Sequence, residues 1–414
     1  MAEPLKVLMM GGRRCGKTSA LASLFDEMTN GKVKNYFTVT DRTVLERKGF
    51  ELQDSLSSKT LELQDMLEKN QNNSNIFLVD KAPTNNFWTY KLHIQIPGTK
   101  KQMDIEFRDS AGEFFESSGV HAEETIKYIE ECDVYVIIID TPYLMAQTDE
   151  TLKQQCNDAA NLGTNRVRDI QEFLTHISDN DGADAKMVIF VPLKCEAWAQ
   201  KNELHKVTAR VKEVYSSCIQ NLSAYNKMNI SIIPMQTCGN IIFTEFRKAF
   251  RYKDAANEFD LNDLRQLDGT IRCCKIDEET IRLENGENRP YPFTEGDILN
   301  PDPEAIINGT NIIRPYSWYR ITPGKCKYEP QNCDQLPLHI LLFMLKKHID
   351  MKTNVVPKKS FWGKLASKIV NIAKRVAGVF VDMNETELQD ILANMKQQGI
   401  IKTRGEGIEV IKDL

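Results

Sequence analysis

The chain of 414 residues has no apolar run approaching the ~18 residues that a membrane span requires. Its longest, around Val134–Ile139 and Leu336–Leu345, stop well short. There is no Cys-x-x-Cys, and none of the six histidines lies near a cysteine at metal-binding spacing, which argues against a structural zinc site. The ten cysteines are scattered over a long chain, so reduced thiols are expected rather than a disulfide framework. Positive charge is not in excess: 53 bases stand against 58 acids, a net charge of −5. Binding nucleic acid through bulk charge is therefore not expected. The opening MAEPLKVLMMGG has too small an apolar run for a signal peptide, so the expected location is cytoplasmic. Internal repeats and low-complexity tracts are absent. What is present is a globular composition, 41% hydrophobic and 27% charged. The length allows about two to four domains.

The first thirty residues say most. Leu5–Met10 reads as a buried strand, and Gly11-Gly12-Arg13-Arg14-Cys15-Gly16-Lys17-Thr18 follows at once. From Ser19 onward, leucines and Phe25 recur at helical spacing. Strand, glycine loop and helix form the context that a phosphate-binding loop, G-x-x-x-x-G-K-[ST], requires. The glycines let backbone N–H groups turn toward phosphate oxygens, and the helix N-terminus adds its dipole. Lys17 would neutralise β/γ-phosphate charge, and the Thr18 hydroxyl would face Mg²⁺. The expected nucleotide contacts run through Gly11, Gly12, Arg13, Arg14, Cys15, Gly16, Lys17, Thr18 and Ser19.

Three further signals sort the class. Phe87–Ile96 and Gln102–Arg108 alternate and read as an antiparallel hairpin around Pro97-Gly98. Asp109-Ser110-Ala111-Gly112-Glu113 comes directly after it. This D-x-x-G resembles the second switch element of Ras-like GTPases, in which the Asp holds Mg²⁺ through water and the Gly N–H senses the γ-phosphate. A rival is Val136–Asp140, an apolar run ending in an acid as in ATPases, which would give the metal to Asp140 and make the chain a P-loop ATPase or phosphotransferase. After the next buried strand, Met187–Pro192, stands Leu193-Lys194-Cys195-Glu196, where GTPases carry N/T-K-x-D. In that comparison Lys194 packs along the base and Glu196 replaces Asp as acceptor for the guanine N–H groups, one methylene longer. Thr237-Cys238-Gly239, after the strand Ile230–Met235, stands where such proteins place a base-contacting loop. The order of elements resembles a Ras-like GTPase domain of the translation-factor-related class. The altered L-K-C-E and the large insertions are similar to bacterial double-GTPase modules.

The resemblance implies GTP/GDP and Mg²⁺ as ligands, with Thr18, Asp109 and a first-switch threonine at the metal. Thr84 is the candidate for that threonine, and Thr38, Thr40 and Thr43 compete with it. Glu113 stands where a water-orienting glutamine is usual, and Arg13 or Arg14 could reach the β/γ-phosphates in cis. Glu113, Arg13, Arg14 and Lys17 are thus the expected catalytic set. An imperfect set predicts slow hydrolysis, because phosphoryl transfer depends on positioning and charge neutralisation. A scaffold that holds nucleotide without hydrolysing it is the remaining alternative.

The expected fold is α/β, a mostly parallel P-loop sheet flanked by helices. The GTPase-like domain spans 1–255 with a helical insertion at 41–75. A β-rich insertion follows at 256–330, a returning helix at 331–350, and a small C-terminal α+β module at 351–414. Within 351–380 there are seven Lys/Arg and no acid, with Trp362, Leu365, Ile369, Ile372, Val376 and Val379 at helical spacing. That basic amphipathic stretch packs on the acidic body, binds a partner protein (an effector or partner GTPase), or meets an anionic membrane surface through 358–380.

Overall fold

The computed structural model describes residues 4–12, 15–43, 55–68, 88–95, 102–110, 112–155, 164–177, 185–251, 273–275, 280–283, 288–290, 311–321, 327–354 and 398–413. The apolar run at the start forms β1 (Leu5–Met10), and α1 (Lys17–Thr29) begins after Gly16, which takes a left-handed φ of 102°. A short β2 (Thr38–Asp41) and the helix α2 (Leu56–Glu68) follow. Next come β3 (Trp88–Gln95), β4 (Gln102–Asp109), a 3₁₀ turn at Gly112–Phe115 and α3 (Ala122–Glu131). Then β5 (Val134–Asp140) leads to α4 (Thr141–Met145), α5 (Glu150–Gln155) and α6 (Val167–Thr175). β6 (Lys186–Leu193) is followed by α7 (Glu196–Gln200), α8 (Leu204–Val214), α9 (Ser216–Ser223) and β7 (Met228–Ile232).

A nine-stranded sheet organises the molecule. Once the last two strands are counted, β13 (Arg404–Gly405) and β14 (Ile408–Lys412), its order is β13-β14-β7-β6-β5-β1-β4-β3-β2. The five central strands β7, β6, β5, β1 and β4 run parallel, and both flanks turn antiparallel. β5 and β6 are buried along nearly their whole length because both faces are covered, while β4 carries Asp104, Glu106 and Arg108 between its apolar residues. Val7, Met9, Val134, Val136, Ile189 and Val191 point into one core, which α1 shares with Leu336–Met344. Leu8, Met10, Tyr135, Ile137, Val188 and Phe190 point into the other, under α6, α8 and α9. Alternation along each strand supplies both layers.

Two helical stretches are shorter than the sequence predicts. The sequence over 203–225 predicts one helix, but the chain divides into α8 and α9 at Tyr215, whose backbone leaves helical geometry (φ −102°, ψ 19°). The Tyr215 ring is fully buried, 5.1 Å from that of Phe190, so core packing overrides helix continuity there. The polar stretch after β5, which predicts one long helix up to about Ser178, is broken as well. Asp140 caps α4, Pro142 sits in its first turn, and Asp149 restarts the chain by accepting the N–H groups of Thr151 and Leu152.

In the expected insertion at 41–75, α2 packs on α1, where Thr60 Oγ1 donates to the Ala22 carbonyl at 3.1 Å. Within 241–321 lie β8 (Ile241–Arg251), β9 (Cys273–Lys275), β10 (Thr280–Leu283), β11 (Asn288–Pro290) and β12 (Asn311–Ile321). β8 and β12 pair as a two-stranded ribbon, and β9–β11 make a separate antiparallel sheet. The returning helix α10 (Gln335–Asn354) fills the first core. The closing hairpin of β13 and β14 joins the main sheet through the pairing of β14 with β7. The basic stretch 358–380 lies outside the described residues. No described helix is long and apolar enough to cross a membrane. Cys15, Cys132, Cys195, Cys218, Cys238 and Cys333 are buried free thiols.

Candidate nucleotide site

The loop between β1 and α1 is held in shape by close backbone contacts. Gly11 has φ 149°, and a Cβ there would stand 2.7 Å from the Ile138 carbonyl oxygen. A Cβ on Gly12 would come within 1.9 Å of the Thr164 carbonyl oxygen. Cys15 is buried inside the loop, with Sγ 3.0 Å from the Gly12 carbonyl, and burial pushes its thiol up from the usual range. Lys17 folds back over the loop and donates to the Gly11 and Gly12 carbonyls, both at 2.9 Å. Its ammonium stands 6.0 Å from the ring centroid of buried Phe115, at the end of the 3₁₀ turn. Ser19 is half-buried in the first turn of α1.

Thr18 and Asp109 lie 91 residues apart and meet: the Thr18 hydroxyl donates to Asp109 Oδ2 at 2.7 Å. Parallel pairing of β1 with β4 makes this contact, because Met9 lies opposite Asp109. Asp109 is 1% exposed, and its Oδ1 has no hydrogen-bond partner. Burial pushes its carboxyl up, while the Lys17 charge and the Thr18 hydroxyl pull it back down. A buried carboxylate oxygen without a donor, beside a hydroxyl, is the donor set that a hard divalent cation takes. These residues therefore fit Mg²⁺.

Asp140 is also 1% exposed, but it is engaged otherwise. Lys194 Nζ lies 2.7 Å from Oδ2, and Oδ1 accepts the Tyr143 N–H at 3.4 Å as the cap of α4. Lys194 has a left-handed φ of 60°, which turns its ammonium under the loop and 5.5 Å from the Tyr319 ring centroid. At the first residue of α7, Glu196 is 3% exposed. Its carboxylate accepts its own N–H and that of Gly239, yet burial prevails and pushes it up to about 8. Leu193–Glu196 and Thr237–Gly239 thus form one corner. Gly239 is left-handed there (φ 76°), with no room for a Cβ against the Glu329 carbonyl.

Arg13, Arg14 and Thr84 lie outside the described residues, as does the side chain of Glu113. Gly112 is buried at the start of the 3₁₀ turn. Of the competing threonines, Thr38 and Thr40 sit on β2 opposite Gln95 and His93, while buried Thr43 accepts the Lys91 N–H at 2.8 Å. Sequence reasoning did not reach Asn165, which brackets the Asp140 backbone by accepting its N–H at 2.7 Å and donating to its carbonyl at 3.1 Å. A lone asparagine in a polar stretch carries no local signal of that role.

The profile of the Double-GTPase 2 family matches residues 7–238, more than half of the 414. This chain belongs to that family. The matched span of the double-GTPase chain runs from β1 to the loop after β7, so it holds the phosphate loop, Asp109, Asp140, Asn165, Lys194 and Glu196, while Gly239 lies just beyond it. Among solved structures, the chain is similar to the GTPase-like domain of S. cerevisiae Ski7 bound to GTP, at 14% identity and a TM-score of 0.32. It is similar to the same domain bound to GDP and inorganic phosphate, at 15% identity and a TM-score of 0.32. Each alignment covers 57% of this chain and 43% of the Ski7 chain. No curated protein matches.

Proposed function

We propose that this double-GTPase chain binds GTP and GDP with Mg²⁺ at Gly11–Thr18, hydrolyses GTP slowly, and changes conformation between the two states. The observation that carries this reading is the Thr18–Asp109 contact at 2.7 Å beside the unpartnered Asp109 Oδ1, with Lys17 stored on loop carbonyls. On nucleotide entry, Lys17 exchanges the Gly11 and Gly12 carbonyls for phosphate oxygens. Thr18 and Asp109 would hold Mg²⁺, which supplies charge neutralisation at the β- and γ-phosphates. Gly112 would offer its N–H toward the γ-phosphate, and Glu113 would orient the attacking water or accept its proton. Arg13 or Arg14 would add positive charge in cis, and Thr84 would close the metal site. Glu196 receives the guanine N–H groups, with Lys194 along the base. The ATPase reading, with Asp140 at the metal, is disfavoured because Lys194 and the α4 cap already occupy that carboxylate. A partner protein and a cytoplasmic location belong to the same proposal, with 358–380 as the segment for a partner or an anionic membrane surface. Nucleic acid is not expected as a partner.

Equilibrium binding of fluorescent GTP and ATP analogues with Mg²⁺ tests the proposal. GTP preference in the wild type is expected. Lys17→Ala should weaken binding about 100-fold, the equivalent of roughly 3 kcal/mol for a charge-assisted contact. ATP preference would discard the guanine assignment. Binding without any turnover in a single-turnover assay would leave a nucleotide-holding scaffold.

A further inference from the structure

Residues 164–169 join three parts of the site that are far apart in sequence. The Thr164 carbonyl is pressed against Gly12 of the phosphate loop, and the Asn165 side chain is locked on the backbone of Asp140 at the end of β5. Arg166 then turns through a left-handed conformation (φ 47°, ψ 41°), uncommon for a residue with a side chain, and α6 begins. From that turn its guanidinium reaches Glu116 Oε1 at 2.5 Å and Asp169 Oδ2 at 3.6 Å. Asp169 in turn accepts both the backbone N–H and the hydroxyl of Ser117, at 3.2 and 2.9 Å. Glu116 and Ser117 directly follow the turn that carries Gly112 and Glu113. One helix start, keyed by its own backbone to the floor of the phosphate loop, therefore grips two consecutive residues of the segment after Asp109.

We propose that Arg166, acting with Asp169, is a positioning residue that fixes residues 112–117 over the phosphate loop and so sets the rate of hydrolysis. The inference rests on the GTPase reading above and deepens it. The grip on nucleotide falls to Lys17, Thr18 and Asp109, outside this network. The orientation of the water depends on where residues 112–117 stand, and a displacement of about 1 Å is enough to cost a large factor in rate. A surface ion pair of purely structural kind would affect stability slightly and turnover not at all.

The test is single-turnover GTP hydrolysis with Mg²⁺, alongside the GDP Kd and amide hydrogen exchange across residues 112–121. The variants are Arg166→Ala, Arg166→Lys, Asp169→Asn and the paired swap Arg166→Glu/Glu116→Arg. Arg166→Ala is expected to slow turnover about tenfold or more, to keep the GDP Kd within about twofold, and to speed exchange at 112–121. The paired swap should recover part of both rate and protection. Unchanged turnover and exchange in Arg166→Ala would overturn the proposal. So would a parallel loss of thermal stability, GDP affinity and turnover, which marks mere support of the fold. If the wild type does not hydrolyse GTP, the GTPase reading fails by itself. Exchange then decides alone: faster exchange in Arg166→Ala with recovery in the swap keeps the anchoring role, and no change removes it.

Discussion

Glu196 is buried where it would have to meet the guanine donors. Burial holds its carboxyl at about 8 against an ordinary 4.5, so the folded apo protein keeps it protonated at neutral pH. The folded state then binds a proton that the unfolded chain has released. The stability this group lends is complete below pH 4.5 and is lost as pH rises through 8. Glu196→Gln keeps an acceptor but cannot ionise. The Tm of the variant minus that of the wild type should therefore climb between pH 6 and 9, and parallel Tm curves would refute this. Guanine offers two N–H donors and selects the ionised carboxylate. GTP binding should then release a proton, with Kd tightening by up to about tenfold per pH unit below 8. Titration calorimetry in buffers of different ionisation enthalpy reads that proton directly. The longer acid in L-K-C-E was visible in the sequence. Its burial was not, because the Gly239 N–H that meets its carboxylate comes from a distant segment packed against the Glu329 carbonyl.

Among the elements, those with strong local patterns were legible and those defined by distant partners were not. β1, β5 and β6 announce themselves as apolar runs, and Leu5–Met10 followed by glycines fixes the loop and α1. β2 has only four residues at the sheet edge, with Thr38 and Thr40 facing polar neighbours, and carries no pattern of its own. The place of β14 is set by Glu409 lying opposite Ile232, a pairing between distant segments that local periodicity cannot encode. That strand is part of the core: Ile408 is 3% exposed. Ile408→Ala should cost about 2–4 kcal/mol, the range for truncating a buried aliphatic side chain. Urea unfolding followed by far-UV circular dichroism measures it, and a change under about 0.5 kcal/mol would place β14 outside the cooperative unit.

Across the whole molecule, two cores share one sheet, and the phosphate loop sits at the central strand between them. A ligand held at that junction reports on both layers. Saturating GDP with Mg²⁺ at about 100 times its Kd should add about 2.7 kcal/mol to the stability of the folded state. A single thermal transition should move up by several degrees. Two transitions, only one of which moves, would show the cores melting independently. The loop, the mostly parallel sheet and the hairpin were readable from residue order. The 164–166 crossing of the loop was not, since it arises where Asn165 happens to satisfy the β5 backbone.

The closing segment 398–413 is bound at many points that owe nothing to its covalent link to α10. Gln335 Nε2 donates to the Ile400 carbonyl at 2.9 Å, and the Lys402 N–H donates to Gln335 Oε1 at 2.8 Å. His339 meets the Lys402 carbonyl at 3.0 Å, and Lys212 pairs with Glu409 at 2.9 Å. A chain cut anywhere between 355 and 397 would therefore retain its last strand as a docked peptide. Expressed apart, that peptide and the remainder would act as complementing halves, each reporting the presence of the other.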